Sequence, residues 1–307
     1  MSMVTAGMNP LQVDLKVKEA LVKGLNAYQP VWKKIFKREV PDRLNELYTG
    51  ATLNSNVDEV EDGSGFPAQT YSEYMNKSIK TRLFKDQIII SDFTDMFDNY
   101  KTIPKFAAQK AYHFSYKVDQ LAADIFNNGT ATSGTYGITI AGTTYPLYGT
   151  AQAIGATGST QSNRTNSGGT ADETTLNDAI VALMGQKSAD NATHGYQARR
   201  WLVPKELVKK AHELLDSNGS PEDANQKKNY FNGLDIQIIP WTLLTSTTAS
   251  FLMADMGDFG VDGLRMLVKM GLSWERVKLD SGHWAYQMKM AVAPGATSYD
   301  GQVSIGL

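Results

Sequence analysis

Apolar residues from 102 to 129, TIPKFAAQKAYHFSYKVDQLAADIFNNG, recur in a single stripe. Ala107, Ala111, Phe114, Val118, Leu121 and Ile125 follow one another at spacings of 4, 3, 4, 3 and 4. That is the 3.6-residue period of a helix with one buried side. Thr102 can cap the start, Pro104 sits where a missing N–H costs nothing, and Asn127-Asn128-Gly129 tolerates a left-handed end. About 24 residues at roughly 1.5 Å each make a rod of about 36 Å, which needs a sheet or a second helix beneath it. No obvious chemical group stands out along this rod.

The rest of the chain alternates between helical and strand periods. Residues 10–27 place Leu11, Leu15, Lys18, Leu21, Val22 and Leu25 near one side of a helix that Pro10 can open and Pro30 stops. A stretch rich in Gly, Thr, Ser and Ala from 130 to 170 reads as loops and short strands, with a hairpin at ITIAGTTYPLYG. Leu176, Ile180, Leu183 and Met184 mark one helix, and Leu207, Val208, Ala211, Leu214 and Leu215 a second, opened by Pro204. ARRWLV at 198–203, LDIQIIP at 234–240 and FLMAD at 251–255 read as strands, so this part is a mixed α/β layer. Trp284, Tyr286, Met288, Met290 and Val292 alternate with smaller or polar residues, the mark of a half-buried strand, and Val303, Ile305 and Leu307 repeat the pattern. The order predicts an α/β insertion at about 130–272, with the long helix and the closing strands packing together as one domain and the insertion as a second.

Residues 57–90 look unlike the rest. The first part carries Asp58, Glu59, Glu61 and Asp62; the second, β-rich, carries Lys77, Lys80, Arg82 and Lys85. The pattern predicts a long two-stranded ribbon with opposite charges on its two parts. An isolated ribbon is marginal in water, which points to support from another chain. Phe66, Tyr71 and Phe84 are candidate apolar anchors for such an intersubunit contact, since aromatic residues dominate interface energetics. Ordinary intramolecular pairing is the alternative, worth at most about 1 kcal/mol per exposed ion pair.

Composition adds bounds. A chain of 307 residues exceeds what one core normally serves. The net charge of -2 carries no global signal for nucleic acid or membrane, although residues 1–50 hold eight Lys or Arg against five Asp or Glu, a local balance of +3. This excess marks either a solvated helix face or a basic arm facing a polyanion. Cysteine is absent, which excludes disulfides and thiol chemistry. No apolar run approaches the length of a membrane span, and the N-terminus does not read as a secretory signal, so a cytosolic origin is expected.

Candidate chemistry is sparse. His113, His194, His212 and His283 are scattered without metal-ligand spacing. No nucleophile elbow, P-loop or dinucleotide fingerprint occurs. The DEVED run at 58–62 lacks the Gly and distal Glu of a calcium loop, and the carboxylates of DMFDNY at 95–100 have no hydrolase context. No catalytic residue, metal site or cofactor is assigned, and an enzyme is not expected.

Four segments carry a family resemblance. IIISDFTDMFDNY, YPLYGTAQAIGATGSTQSNRTN, ARRWLVPKELVKKAHELLDS and LDIQIIPWTLLTSTTASFLMAD, in this order, resemble segments of the major capsid protein of tailed bacteriophages, which has the Hong Kong 97-type fold. The likeness spans roughly residues 28–290. Gln152 stands where many relatives carry His, and no function attaches to that position. The resemblance implies an α+β fold with an N-terminal arm (1–50), an extended β-hairpin loop (51–90), a peripheral domain with its spine helix (91–129 and 273–307) and an inserted axial α/β domain (130–272).

It further implies a structural subunit of an icosahedral phage head. Such a subunit self-assembles into pentamers and hexamers around non-specifically held double-stranded DNA, in the bacterial host's cytoplasm. Implied partners are a separate scaffolding protein, because 307 residues leave no room for a scaffolding domain, with a portal and decoration proteins. Two alternatives stand beside this one: a nanocompartment shell of the same fold around enzyme cargo, and a cytosolic hydrolase using scattered carboxylates. Megadalton particles exclude the last, and extracted nucleic acid separates the first two.

Overall fold

The computed structural model describes residues 10–52, 72–90, 102–155, 158–165, 168–187, 189, 191–219, 228–255 and 263–307. The chain opens with helix α1 (Pro10–Ala27) and a 3-10 turn at Val31–Lys34. Strands β1 (Lys37–Glu39), β2 (Asn45–Thr52), β3 (Ser72–Lys80) and β4 (Arg82–Ile90) follow. The long helix α2 (Thr102–Asn127) leads to five short strands: β5 (Ile138–Ile140), β6 (Thr143–Tyr145), β7 (Gln152–Ala153), β8 (Thr160–Gln161) and β9 (Arg164–Thr165). Next come α3 (Glu173–Met184), β10 (Ala198–Val203), α4 (Val208–Asp216), β11 (Gln237–Pro240) and β12 (Ser250–Ala254). Strands β13 (Leu264–Lys278), β14 (Trp284–Ala296) and β15 (Gln302–Ile305) close the chain.

All six residues of the predicted stripe on α2 are buried, joined by Ile103, Ala122 and Phe126. At 26 residues the helix is about 39 Å long. It packs against α1 on one side and against β14 and β13 on another. The face of α1 differs from expectation. Val17, Leu21 and Gly24 are buried, whereas Leu15 and Val22 are more than half exposed, Lys18 is exposed and Leu25 only partly buried; the Leu11 side chain lies outside the described ones. Gly24 decides this. A Cβ there would lie 2.1 Å from the Ala108 carbonyl oxygen, so the helices cross at backbone contact and the seam runs through Gly24 at i, i+4 and i+7 from Val17. The first helix is thus held by its own chain.

The two large sheets have strand orders β1-β13-β14-β4 and β11-β10-β12-β15-β9. The pattern places 303–307 with the other closing strands; instead β15 lies between β12 and β9, antiparallel to one and parallel to the other. Conversely, β13 begins at Leu264, inside the span expected for the insertion, and pairs along its length with β14. The reason is the two-faced character of the second sheet. On β12, Phe251 and Met253 face the core built on α2, while Leu252 and Ala254 face a second core under α3 and α4. On β10, Leu202 serves the first core, and Trp201 and Val203 the second. A sheet covered on both faces needs an apolar strand beside β12, and Val303 and Ile305, both fully buried, supply it.

The predicted hairpin is β5–β6, closed by Ala141 and Gly142, both at positive φ, as a two-residue hairpin turn requires. Asp172 caps α3, accepting from Thr175 N at 2.7 Å while its own N–H donates to Thr175 Oγ1 at 2.8 Å.

Candidate assembly surface

The expected two-stranded ribbon is instead one side of a four-stranded sheet of order β2-β3-β5-β6, and its partner strand differs from the one expected. β3 pairs antiparallel with β2, from Asn45↔Lys80 to Thr52↔Ser72, so the acidic segment 57–62 belongs to the connection between the strands and not to the partner strand. Asp58, Glu59, Glu61, Asp62, Phe66 and Tyr71 lie outside the described residues, as do the carboxylates at 95–100. β4 leaves the ribbon: it pairs over its whole length with β14, from Arg82↔Val292 to Ile90↔Trp284. The break falls at Thr81, whose N–H donates to Leu44 O at 2.9 Å and so ends the ribbon.

Of the basic residues, Lys80, Arg82 and Lys85 are exposed, as a contact surface requires. Lys77 is not, and its expected place on an exposed charged surface is corrected here. It is 4% exposed, and its ammonium donates to three backbone carbonyls in the turn after α2: Gly134 O at 2.8 Å, Thr135 O at 3.0 Å and Gly137 O at 2.5 Å. Burial pushes its pKa down from the ordinary lysine value to about 8. Strand alternation accounts for the placement. Residues 75, 77 and 79 share a face, and Ile79 packs on Leu267 and Ala293 at the foot of the ribbon. Phe84 is also corrected as a free anchor, because it packs partly buried against the main core.

The foot of the ribbon is tied in several ways. Arg265 Nη1 lies 2.9 Å from Glu39 Oε2, Tyr48 Oη donates to the same oxygen at 2.8 Å, and the Arg265 guanidinium sits 4.7 Å from the centre of the Tyr48 ring. Burial raises the Glu39 pKa, but the hydrogen bonds from Arg265 and Tyr48 outweigh it and hold the carboxyl below its usual range. Lys269 Nζ reaches Pro41 O at 2.9 Å. Around this foot Leu44, Leu47 and Leu83 remain more than half exposed beside Lys80 and Arg82, while Lys85 and Ile89 are exposed farther along β4. Apolar residues with a charged rim make up the composition of a contact surface.

Sequence reasoning missed a second buried charge. Asp119, on the long helix, is fully buried and accepts three hydrogen bonds from two distant parts of the chain: Tyr28 Oη at 2.8 Å and Trp32 N at 2.8 Å from one, and Trp241 Nε1 at 3.0 Å from the other. Burial raises its carboxyl above the usual range, and the hydrogen bonds only partly offset this. The sequence held a signal. Asp119 lies three and seven residues before Ala122 and Phe126, within the buried stripe, with Ser115 and Ala123 at i±4 in place of a basic partner.

Gln152 and Asn163 form a third buried polar group. Gln152 Nε2 donates to Pro146 O at 2.6 Å, Asn163 Nδ2 to Leu147 O at 2.8 Å, and Gly149 N to Asn163 Oδ1 at 2.9 Å. These bonds satisfy loop backbone and have no catalytic geometry. The four histidines stay apart: His113 stacks edge-on to Tyr112, His194 lies near Tyr196, and His212 pairs with Asp216 at 2.6 Å on an exposed helix face. Among the described residues no group of three His, Cys, Asp or Glu is placed to hold a metal ion, and no helix is long and apolar enough to cross a membrane.

A family model described as "Phage capsid protein" matches residues 80–305. No curated protein matches the chain. Among solved structures, the capsid of Cyanophage P-SCSP1u is similar at 13% identity and a TM-score of 0.54, over 90% of this chain and 88% of that one. The structure titled Mycobacterium phage Patience is similar at 12% and 0.56, over 98% and 88%. The virus-like particle from Pyrococcus furiosus is similar at 14% and 0.50, over 94% and 97%. The family match covers the long helix and, apart from β1, both large sheets in one span, and the chain belongs to the phage capsid protein family, with the α+β fold of Hong Kong 97-type major capsid proteins.

Proposed function

We propose that this capsid shell subunit builds an icosahedral head of pentamers and hexamers, and that the ribbon foot is one of its intersubunit contacts. The observation that supports the contact is the exposed set Leu44, Leu47 and Leu83 beside Lys80 and Arg82, where the β2–β3 ribbon joins β4. The connection carrying Asp58, Glu59, Glu61 and Asp62 is the complementary surface offered by a neighbour. Under this reading the N-terminal arm, extended loop, peripheral part and axial part keep their order, with the ribbon at 45–80 and β15 assigned to the axial sheet. The role is structural, without catalysis, and assembly takes place in the bacterial cytoplasm with a separate scaffolding protein, a portal and decoration proteins.

The shell's inner surface holds double-stranded DNA without sequence preference. The basic excess of residues 1–50 supports this, with Lys16, Lys18, Lys23, Lys33 and Lys34 all exposed. Expression followed by sedimentation and electron microscopy tests the assembly: megadalton closed particles are expected, and a monomer or dimer at high concentration under all conditions overturns it. A second reading, a shell around protein cargo, is supported by the virus-like particle likeness, which runs nearly end to end on both chains. Nucleic acid extracted from particles made in the native host separates the two. Opened shells are expected to bind duplex DNA with affinity falling steeply in salt; a clear sequence preference argues against the phosphate reading.

A further inference from the structure

The ribbon meets the rest of the subunit along a short seam. β3 pairs with β5 at only two positions, Met75↔Ile140 and Asn76↔Thr139, and Ala141 N adds a bond to Tyr74 O at 2.8 Å. Lys77 stands next to this seam. Its three carbonyl partners belong to one tight turn, 133–137, closed by Tyr136 N to Ser133 O at 3.0 Å and Gly137 N to Ser133 O at 2.6 Å. The turn is backed by the hairpin: a Cβ on Gly137 would lie 2.6 Å from Thr144 Cγ2. A turn that aims three carbonyls at one point is a cage for a cation with several donors, and the ammonium has three. The titratable side chains on the elements packed around it are Glu46 and Tyr48 on β2, Glu73, Tyr74 and Lys80 on β3, Tyr136 and Tyr145 on the turn and β6, and Tyr286 and Lys289 on β14. The turn and hairpin bring no carboxylate, so carbonyl dipoles alone hold the charge.

We infer that Lys77 is a positioning residue for assembly: its amino group clasps the ribbon to the turn that follows the long helix, and withdrawing it from the cage opens the β3–β5 seam and frees the outer ribbon. The inference deepens the ribbon-contact reading and rests on it for its role in assembly, though the clasp itself is a property of the single subunit. A subunit whose seam is closed presents its ribbon at one angle. A subunit whose seam is open presents it at a range of angles and closes shells less well.

The clasp has a pH signature. In the closed state the amine titrates near 8, and once released into water it returns to the ordinary lysine value. Between those two pH values the closed state holds the neutral amine, which still donates two N–H groups and avoids the desolvation of the charge, so raising the pH through this window favours closure. The opening equilibrium falls by up to about 300-fold across it.

Hydrogen exchange on unassembled full-length protein tests this, reading protection factors in peptides covering 74–80 and 133–145. Lys77→Met is expected to lower protection there by about tenfold or more and to leave α3 and β10 unchanged. Wild-type protection is expected to rise with pH above 8, with a flat profile in the variant. In Lys77→Ala, added propylammonium is expected to restore protection, and its N-trimethyl analogue, with the same charge and no N–H, to fail. Equal protection in wild type and variant, a loss spread evenly over the chain, or no rescue by propylammonium overturns the clasp. Should Lys77→Met not fold, the wild-type pH profile and the rescue of Lys77→Ala still decide. Particle yield is scored separately: a confirmed clasp with normal shells from Lys77→Met removes the ribbon-contact reading and keeps the clasp.

Discussion

Asp119 and Lys77 are both buried charges, and they are held in opposite ways. Asp119 gathers three donors from two distant segments, Tyr28 and Trp32 after the first helix and Trp241 after β11. Lys77 gathers acceptors from the single turn 133–137. The carboxylate therefore joins the first helix, the long helix and the two-faced sheet into one body, and removing it loosens long-range contacts. The ammonium joins one ribbon to one turn, and removing it is a local event. A charge tied to distant segments serves stability; a charge tied to one neighbour serves the placement of whatever carries it.

The largest effect should come from Asp119. Asp119→Ala leaves a phenol, a backbone N–H and an indole N–H buried without their acceptor, and is expected to cost about 3–5 kcal/mol in denaturant unfolding. A loss below about 1 kcal/mol would break the comparison. Its pH dependence sharpens it. Burial raises the folded carboxyl, so the folded state binds a proton at pH values where the unfolded state does not. Stability should therefore fall as pH rises through the window above the ordinary carboxylate value, and Asp119→Asn should flatten that slope.

A smaller loss is expected at Lys77. Lys77→Glu turns a carboxylate toward three carbonyls and should cost about 1–3 kcal/mol, confined to the ribbon and the 133–137 turn. Global unfolding of the kind predicted for Asp119→Ala would show that both charges are general fold elements. The smallest effect on the isolated subunit should follow reversal of Lys80, Arg82 and Lys85 together to Glu. Exposed charges of this kind are worth about 0–1 kcal/mol each, so melting of unassembled protein should hardly move. Particle yield by sedimentation should drop sharply, because each lost contact recurs at every interface of the shell. Normal yield would remove these residues from the contact.

Much of the architecture was legible because it depends on local periods. The stripe on the long helix, the strand at 198–203, the hairpin closed by Ala141 and Gly142, and the order of segments that resembles a capsid protein all follow from residues near one another in sequence. The clasp was partly legible, since Lys77 alternates in phase with Met75 and Ile79, but alternation does not say which face is buried, and charge argued for the exposed one. The face of the first helix depended on where another helix approaches Gly24, which no period in 10–27 encodes. Strand partners behaved likewise. That β3 pairs with β2 and not with the acidic stretch, and that β15 enters the two-faced sheet, depends on contacts across tens to hundreds of residues. Residues by themselves determined which segments are helix or strand, because that is set by the side chains each segment must bury. Tertiary structure alone decided which charges go inside, because burying a charge is tolerable only where a distant part of the chain supplies its partners.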